Sequence, residues 1–205
     1  MLPHEEKIVA LKRELIRGTV RTVSELGLEN TTTDAICKTC GINVAYIYRF
    51  FEDKEDLIAK SFAYTDEKLL GVILKNYTVL NYESIDFESR CHVLFMKCWD
   101  YLINHRQEIV FYIRYYYSLS FQKYAYEDHI ERYRDLLEKM RTAFPKTADV
   151  RLVMHHILDT LLGEAMKQTV DPKDDDNTAA SKTFFLIFSV VKCYVKQEKF
   201  NDQNI

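Results

Sequence analysis

Apolar residues recur every three to five positions near the start of the chain, at Ile8, Leu11, Leu15, Val20, Val23 and Leu26. That spacing gathers them on one face of a helix over residues 5–26. Gly27 supplies the stop, because glycine accepts the left-handed backbone that closes many helices. Asn30, Thr31, Thr32 and Thr33 follow as a capping segment, whose side-chain oxygens can accept from the free N–H groups at a helix start. A short helix over 34–40 is predicted there. Gly41 then turns the chain, and Asn43 can cap a third helix over 44–50. Asp53 with Asp56 three residues on is another N-terminal signature, and the helix it opens runs to about residue 76. Beyond a polar linker at 81–86, the periodicity predicts five more helices over 87–105, 107–120, 126–144, 149–168 and 178–197. The tail 198–205 is expected to fray. The pattern gives an all-α chain of about nine helices and no strand.

Composition agrees with this. Five glycines and three prolines make 8 of 205 residues, well below the roughly 12% of average usage. Turn-dense sandwiches and barrels are excluded. A phosphate loop needs clustered glycines, and here they stand singly at 18, 27, 41, 71 and 163. No apolar run approaches the roughly 18 residues of a membrane span, and residues 1–10 lack the apolar core of a signal peptide. These features predict a cytoplasmic protein without a membrane partner, whose five cysteines stay reduced.

The informative stretch is 31–57. Two short helices joined by a glycine-containing turn make a helix-turn-helix, whose second helix docks in a DNA major groove. Asn43, Ala45, Tyr46 and Arg49 are expected on its exposed face, with Ile47, Phe50 or Phe51 packed inward. Tyr48 can reach a phosphate oxygen with its hydroxyl. Lys54 lies in the first turn of the next helix, where a cation opposes the helix dipole; a phosphate bound at the same helix start would offset that cost. Thr33 and Val44, at their own helix starts, complete the candidate DNA-contacting set.

Gly27, Thr32-Thr33, Ile36, Gly41-Ile42, Ile47-Tyr48-Arg49-Phe50-Phe51, Asp53-Lys54-Glu55 and Leu57 together resemble the N-terminal signature of TetR/AcrR-type bacterial transcriptional regulators. The resemblance covers roughly residues 8–62. The remaining 140 or so residues are similar to the family only in length and helical character. Ala45 stands where the family often has glycine, and Tyr46 where it has a small hydroxyl or amide; both bear on which operator is read. The resemblance implies a homodimer on a palindromic operator. It divides the chain into a DNA-binding domain at 1–52 and a ligand-binding and dimerisation domain at 53–205.

Charge refines this picture. The chain carries 28 basic and 31 acidic residues, a net of -3. Residues 7–49 hold seven basic residues against four acidic ones, so the rest of the chain carries -6. Arg13, Arg17 and Arg21 stack at i, i+4 spacing, either as a solvated face eased by Glu14 and Glu25 or as a phosphate-facing stripe.

Other motifs read as structural. Cys37 and Cys40 form a C-x-x-C with no second pair or histidine pair, so packing is expected rather than zinc; the resembled family usually has alanine at both positions. His155 and His156 point about 100° apart and are expected at a polar dimer contact. The acidic run 171–176 lacks the glycine and terminal glutamate of a calcium loop. No metal site and no cofactor is expected. No nucleophile-and-base arrangement stands out, so no enzymatic role is expected.

Aromatics are dense from Phe111 to Tyr126. Tyr112, Tyr115, Tyr116 and Leu119, with Phe95 and Trp99 from the preceding helix, are the candidate lining of a pocket for an unknown small-molecule effector. The last two helices carry apolar residues on more than one side. Val153, Ile157, Leu161, Phe185 and Phe188 are therefore expected at a homodimer interface about a two-fold axis.

The sequence thus reads as a DNA-binding transcriptional regulator. Repression of a palindromic operator by a homodimer, relieved by an inducer, is the reading it favours. Two alternatives stay open. One is an activator of the same fold controlled by a protein partner. The other is a helical ligand-binding module whose DNA binding is vestigial.

Overall fold

Side-chain caps set the helix boundaries. In the computed structural model, which describes residues 4–195, Thr32 Oγ1 accepts from Ala35 N at 3.1 Å and opens α2. Asn43 Oδ1 accepts from Ala45 N at 2.9 Å at the start of α3. Asp53 Oδ1 accepts from Asp56 N at 2.8 Å, and Asp56 Oδ2 reaches back to Glu52 N at 3.0 Å, a reciprocal cap for α4. Gly27 and Gly41 take φ of 85° and 67°, the left-handed region expected at helix ends.

The order is α1 (His4–Leu26), α2 (Thr33–Cys40), α3 (Ala45–Phe50), α4 (Lys54–Asn76), a 3-10 turn (Tyr77–Asn81), α5 (Phe87–Asn104), α6 (Arg106–Tyr116), α7 (Leu119–Tyr124), α8 (Tyr126–Arg141), α9 (Val150–Val170) and α10 (Asp176–Tyr194). The described residues thus hold ten α-helices and no strand, against about nine predicted. The extra one arises because the helix expected over 107–120 is broken. Ser118 takes an extended backbone, and its Oγ accepts from Phe121 N, so the chain ends α6 and restarts as α7. The helix expected to reach 144 stops at Arg141. The tail 198–205 and the last residues of the helix expected to reach 197 lie outside the described residues.

The chain forms two compact units. The first comprises residues up to 67 together with 107–130. Its N-terminal core packs Leu15 of α1, Ile36 and Cys37 of α2, Ile47 of α3, and Phe51 and Leu57. Helices α1 and α2 interlock closely. A Cβ at Gly18 would overlap the Sγ of Cys40, and Thr22 Oγ1 lies 3.0 Å from Thr39 Oγ1. A second cluster surrounds Phe62 of α4, whose ring centroid is 4.8 Å from Tyr112, 5.3 Å from Tyr115 and 5.2 Å from Phe121. Beside it the fully buried Asp66 accepts from Tyr112 Oη at 2.9 Å and meets His129 Nδ1 at 2.9 Å. The boundary expected between 52 and 53 falls inside this unit.

The second unit comprises 68–106 and the residues from 131 onward. Helices α5, α9 and α10 pack against one another. Phe95 stacks on Trp99 at 5.9 Å and meets Phe184 at 5.5 Å. Phe188 stacks on Phe184 at 5.3 Å and approaches Phe87 at 6.3 Å. Arg90 is buried, with Nη1 donating to Leu80 O at 2.7 Å, which ties α5 to the 3-10 turn. Asp175 caps α10 through Asn177 N and Thr178 N. The acidic run is therefore a helix start with its own ion pairs rather than a free carboxylate cluster.

Candidate nucleic-acid interface

Ile47 is the inward anchor of α3 and is fully buried. Its position turns Ala45, Tyr48 and Arg49 to solvent, with Asn43 just before the helix; Tyr48 is 61% exposed. These four side chains form a continuous outward face with nothing from the first unit above it. They supply a hydroxyl, an amide and a guanidinium, donors suited to phosphate oxygens and base edges. Val44 and Tyr46 are placed differently. Both are half-buried against the N-terminal core, and the Tyr46 ring leans on Phe50 at 6.0 Å. Thr33 opens α2 and is half-buried.

Lys54 is half-buried as well. Its Nζ donates to Thr31 O at 3.2 Å and lies 3.5 Å from Glu55. This ammonium therefore ties the start of α4 to the segment before α2, with further hydrogens left to donate. Of the arginine stripe, Arg13 and Arg17 are exposed. Arg21 pairs with Glu14 at 2.6 Å.

Cys37 and Cys40 pack between α1 and α2. Burial, and next the Glu14 carboxylate, push the Cys40 thiol up to about 11; burial and Asp34 raise Cys37. Both are held as thiols, poor nucleophiles and poor metal ligands. His155 and His156 are half-buried on α9, and His156 Nε2 is enclosed without a hydrogen-bond partner.

The residues expected to line one effector pocket are not brought together. Tyr112, Tyr115 and Tyr116 belong to the aromatic cluster of the first unit, where rings fill the space around Phe62 and His129. Leu119 is 90% exposed. Phe95 and Trp99 belong to the second unit, where Trp99 lines a cleft of about 570 Å³ between α5, the end of α9 and the start of α10. The aromatic run that suggested a pocket is a packed core, because the tyrosine rings stack on one another.

The expected dimer residues divide too. Val153, Leu161 and Phe188 are buried within the second unit, Ile157 is half-buried, and Phe185 is 70% exposed. Leu152 on α9 and Val190 on α10 are exposed apolar residues that the sequence pattern did not single out.

Sequence reasoning also missed Arg114, whose Nη1 donates to Val23 O at 2.6 Å and lies 3.2 Å from Ser24 O. The absence of any basic residue from the last turn of α1 was the available signal that its carbonyls needed a distant donor. Among the described residues, no helix is long and apolar enough to cross a membrane.

Comparison with known proteins follows this geometry. The model of the bacterial regulatory proteins, tetR family, matches residues 15–60, which hold α2, α3 and the start of α4. A TetR family transcription regulator from Marinobacter aquaeolei VT8 is 14% identical, with 94% of this chain and 99% of that chain covered and a TM-score of 0.72. The transcriptional regulator FadR from Bacillus subtilis, solved in complex with stearoyl-CoA, is 18% identical over 86% of this chain and 97% of that chain, with a TM-score of 0.65. SmeT, the repressor of the Stenotrophomonas maltophilia multidrug efflux pump SmeDEF, is 15% identical over 94% of each chain, with a TM-score of 0.59. With the family signature on its N-terminal helices and the fold of these regulators over its length, the chain belongs to the TetR family of bacterial transcription regulators.

Proposed function

We propose that this chain is a cytoplasmic repressor that binds a palindromic operator as a homodimer and is released by a small-molecule inducer. The observation that carries the reading is the outward face of α3, where Asn43, Ala45, Tyr48 and Arg49 stand free above a buried Ile47. A rigid helix presenting such donors fits a major groove about 12 Å wide. Two heads would meet half-sites about 34 Å apart, or a multiple of that. Residues 1–52 would contact DNA, and 53–205 would bind the effector and dimerise.

Pairing through α9 and α10 is supported by the exposed apolar side chains Leu152, Phe185 and Val190. Repression is named for SmeT, and an acyl-CoA ligand for the Bacillus FadR; both make an effector-relieved repressor the natural reading. A dimer of net -6, twice the chain's -3, is repelled by DNA at large, so its binding depends on the small oriented face of α3.

The test is a gel-shift titration across salt with Tyr48→Phe and Arg49→Ala. Removing one side chain that holds a phosphate should lower the slope of log K against log salt by about 1. Unchanged affinity and slope in both variants would exclude this face as the DNA-binding surface.

A further inference from the structure

The cleft between α5, α9 and α10 has a lining whose chemistry is specific enough to name what it takes. Its volume of about 570 Å³ lies in the range of small-molecule sites. Met166, Val170, Ala179 and Leu186 give it apolar walls, and Trp99 contributes a large aromatic surface. That tryptophan is 2% exposed, and its Nε1 has no hydrogen-bond partner. A buried indole N–H normally finds an acceptor; here a molecule in the cleft could supply one.

Six charged residues line the cleft, and they balance. Glu164, Asp171 and Asp174 stand against Lys167, Lys173 and Lys182. The central ones are already paired. Lys167 Nζ is 2.6 Å from Glu164, and Lys182 Nζ is 2.8 Å from Asp174. Gln168 Nε2 is engaged by Asp174 O and Asp176 Oδ1. A charged ligand would have to displace these pairs and would gain no net field in return. Thr183 is buried at the wall and donates its hydroxyl hydrogen to Ala179 O at 2.8 Å, which leaves its oxygen only as an acceptor.

We infer that this cleft binds an uncharged, largely apolar molecule bearing a carbonyl-type acceptor, which takes the unpartnered N–H of Trp99. The inference deepens the proposed small-molecule control, and only its consequence for DNA rests on that reading; binding is measured by itself.

Trp99 is the chain's one tryptophan, so its emission reports the cleft directly. The probe is 6-propionyl-2-dimethylaminonaphthalene, a neutral naphthyl ketone that accepts tryptophan energy. Titration of the full chain should quench Trp99 saturably at one probe per chain, with a blue shift of the probe's own emission. Ala179→Phe, which fills the cleft, should weaken binding at least tenfold. Leu186→Glu, at an exposed position that does not bear on folding, should weaken it similarly. Trp99→Phe, followed by probe emission, should weaken binding about five- to tenfold, the worth of one hydrogen bond. The anionic 8-anilinonaphthalene-1-sulfonate, of similar size, should bind the cleft at least tenfold more weakly than the ketone.

Absence of saturable quenching, or ketone binding unchanged in both Ala179→Phe and Leu186→Glu, overturns the site. Equal binding of the sulfonate at the cleft overturns the ligand class. Ketone bound in the cleft without any compound acting there to release the operator leaves the cleft standing and removes control through it. An inducer still effective in both cleft variants leaves small-molecule control standing and overturns the cleft as its site.

Discussion

Arg114 of α6 donates through Nη1 to the carbonyl oxygen of Val23, 2.6 Å away and 91 residues earlier in the chain. The bond satisfies a free carbonyl at the end of α1 and sets a cation against the negative end of its dipole. Arg114→Ala should cost about 1–2 kcal/mol, a fall of about 2–8 °C in Tm. Thermal denaturation followed by circular dichroism checks this. Amide exchange around residues 27–31 should quicken in the same variant, and Arg114→Lys should recover part of the deficit.

Gly18→Ala should destabilise the chain although alanine is the better helix former by about 1 kcal/mol. The new Cβ would overlap Cys40 Sγ, and forcing α1 away from α2 costs about 1–3 kcal/mol. Cys40→Ala removes the obstructing sulfur. The double variant should therefore be more stable than Gly18→Ala alone, a coupling that urea titration of all four species measures.

Phe185→Asp with Leu152→Asp should give monomers of unchanged helicity, since both side chains are exposed. Light scattering reads the mass, and a persistent dimer would remove these residues from the interface. Phe188→Asp should behave differently. Its ring is buried between Phe87 and Phe184, so a charge there should cost helicity in the second unit whatever the oligomeric state.

Buried thiols give the stability profile an alkaline edge. Burial raises Cys91 and Cys98 from 9.0 to about 12, and burial with Glu14 raises Cys40 to about 11. The folded chain holds these protons more tightly than the unfolded one. The stabilisation is fully present below pH 9 and disappears as pH rises from 9 toward 11 and 12. Tm should decline over that window, and the decline should be shallower with Cys91→Ala and Cys98→Ala together. Equal slopes would show that the thiols contribute nothing there.

What the sequence made legible was local. The caps at Thr32, Asn43 and Asp53 lie within three residues of the N–H groups they serve, so composition and spacing sufficed. Ile47 and the outward neighbours of α3 followed from the period of one helix. The closure of Gly18 on Cys40 was not legible, because nothing near residue 18 marks what a second helix will bring against it. The same holds for Arg114, whose acceptor lies on another element. The aromatic run after Phe111 misled for a related reason. Tyrosine spacing says that rings share a face but not whether they enclose a space or fill it. Phe62, some fifty residues earlier, is the side chain that fills it. The break at Ser118 carried the same serine cap signal as other helix starts and was hidden by the apolar run around it.

Asp66 has a consequence for how the first unit can move. One carboxylate on α4 is held by Tyr112 of α6 and His129 of α8, all three side chains buried. Sliding any one of these helices past the other two would strand a charge in a ring-lined interior, at about 3–5 kcal/mol. Gradual shear is thereby penalised, while tilting the three as a block leaves the fastening intact. The carboxylate works as a rivet, so a rearrangement of this unit proceeds by whole-body rotation between discrete poses.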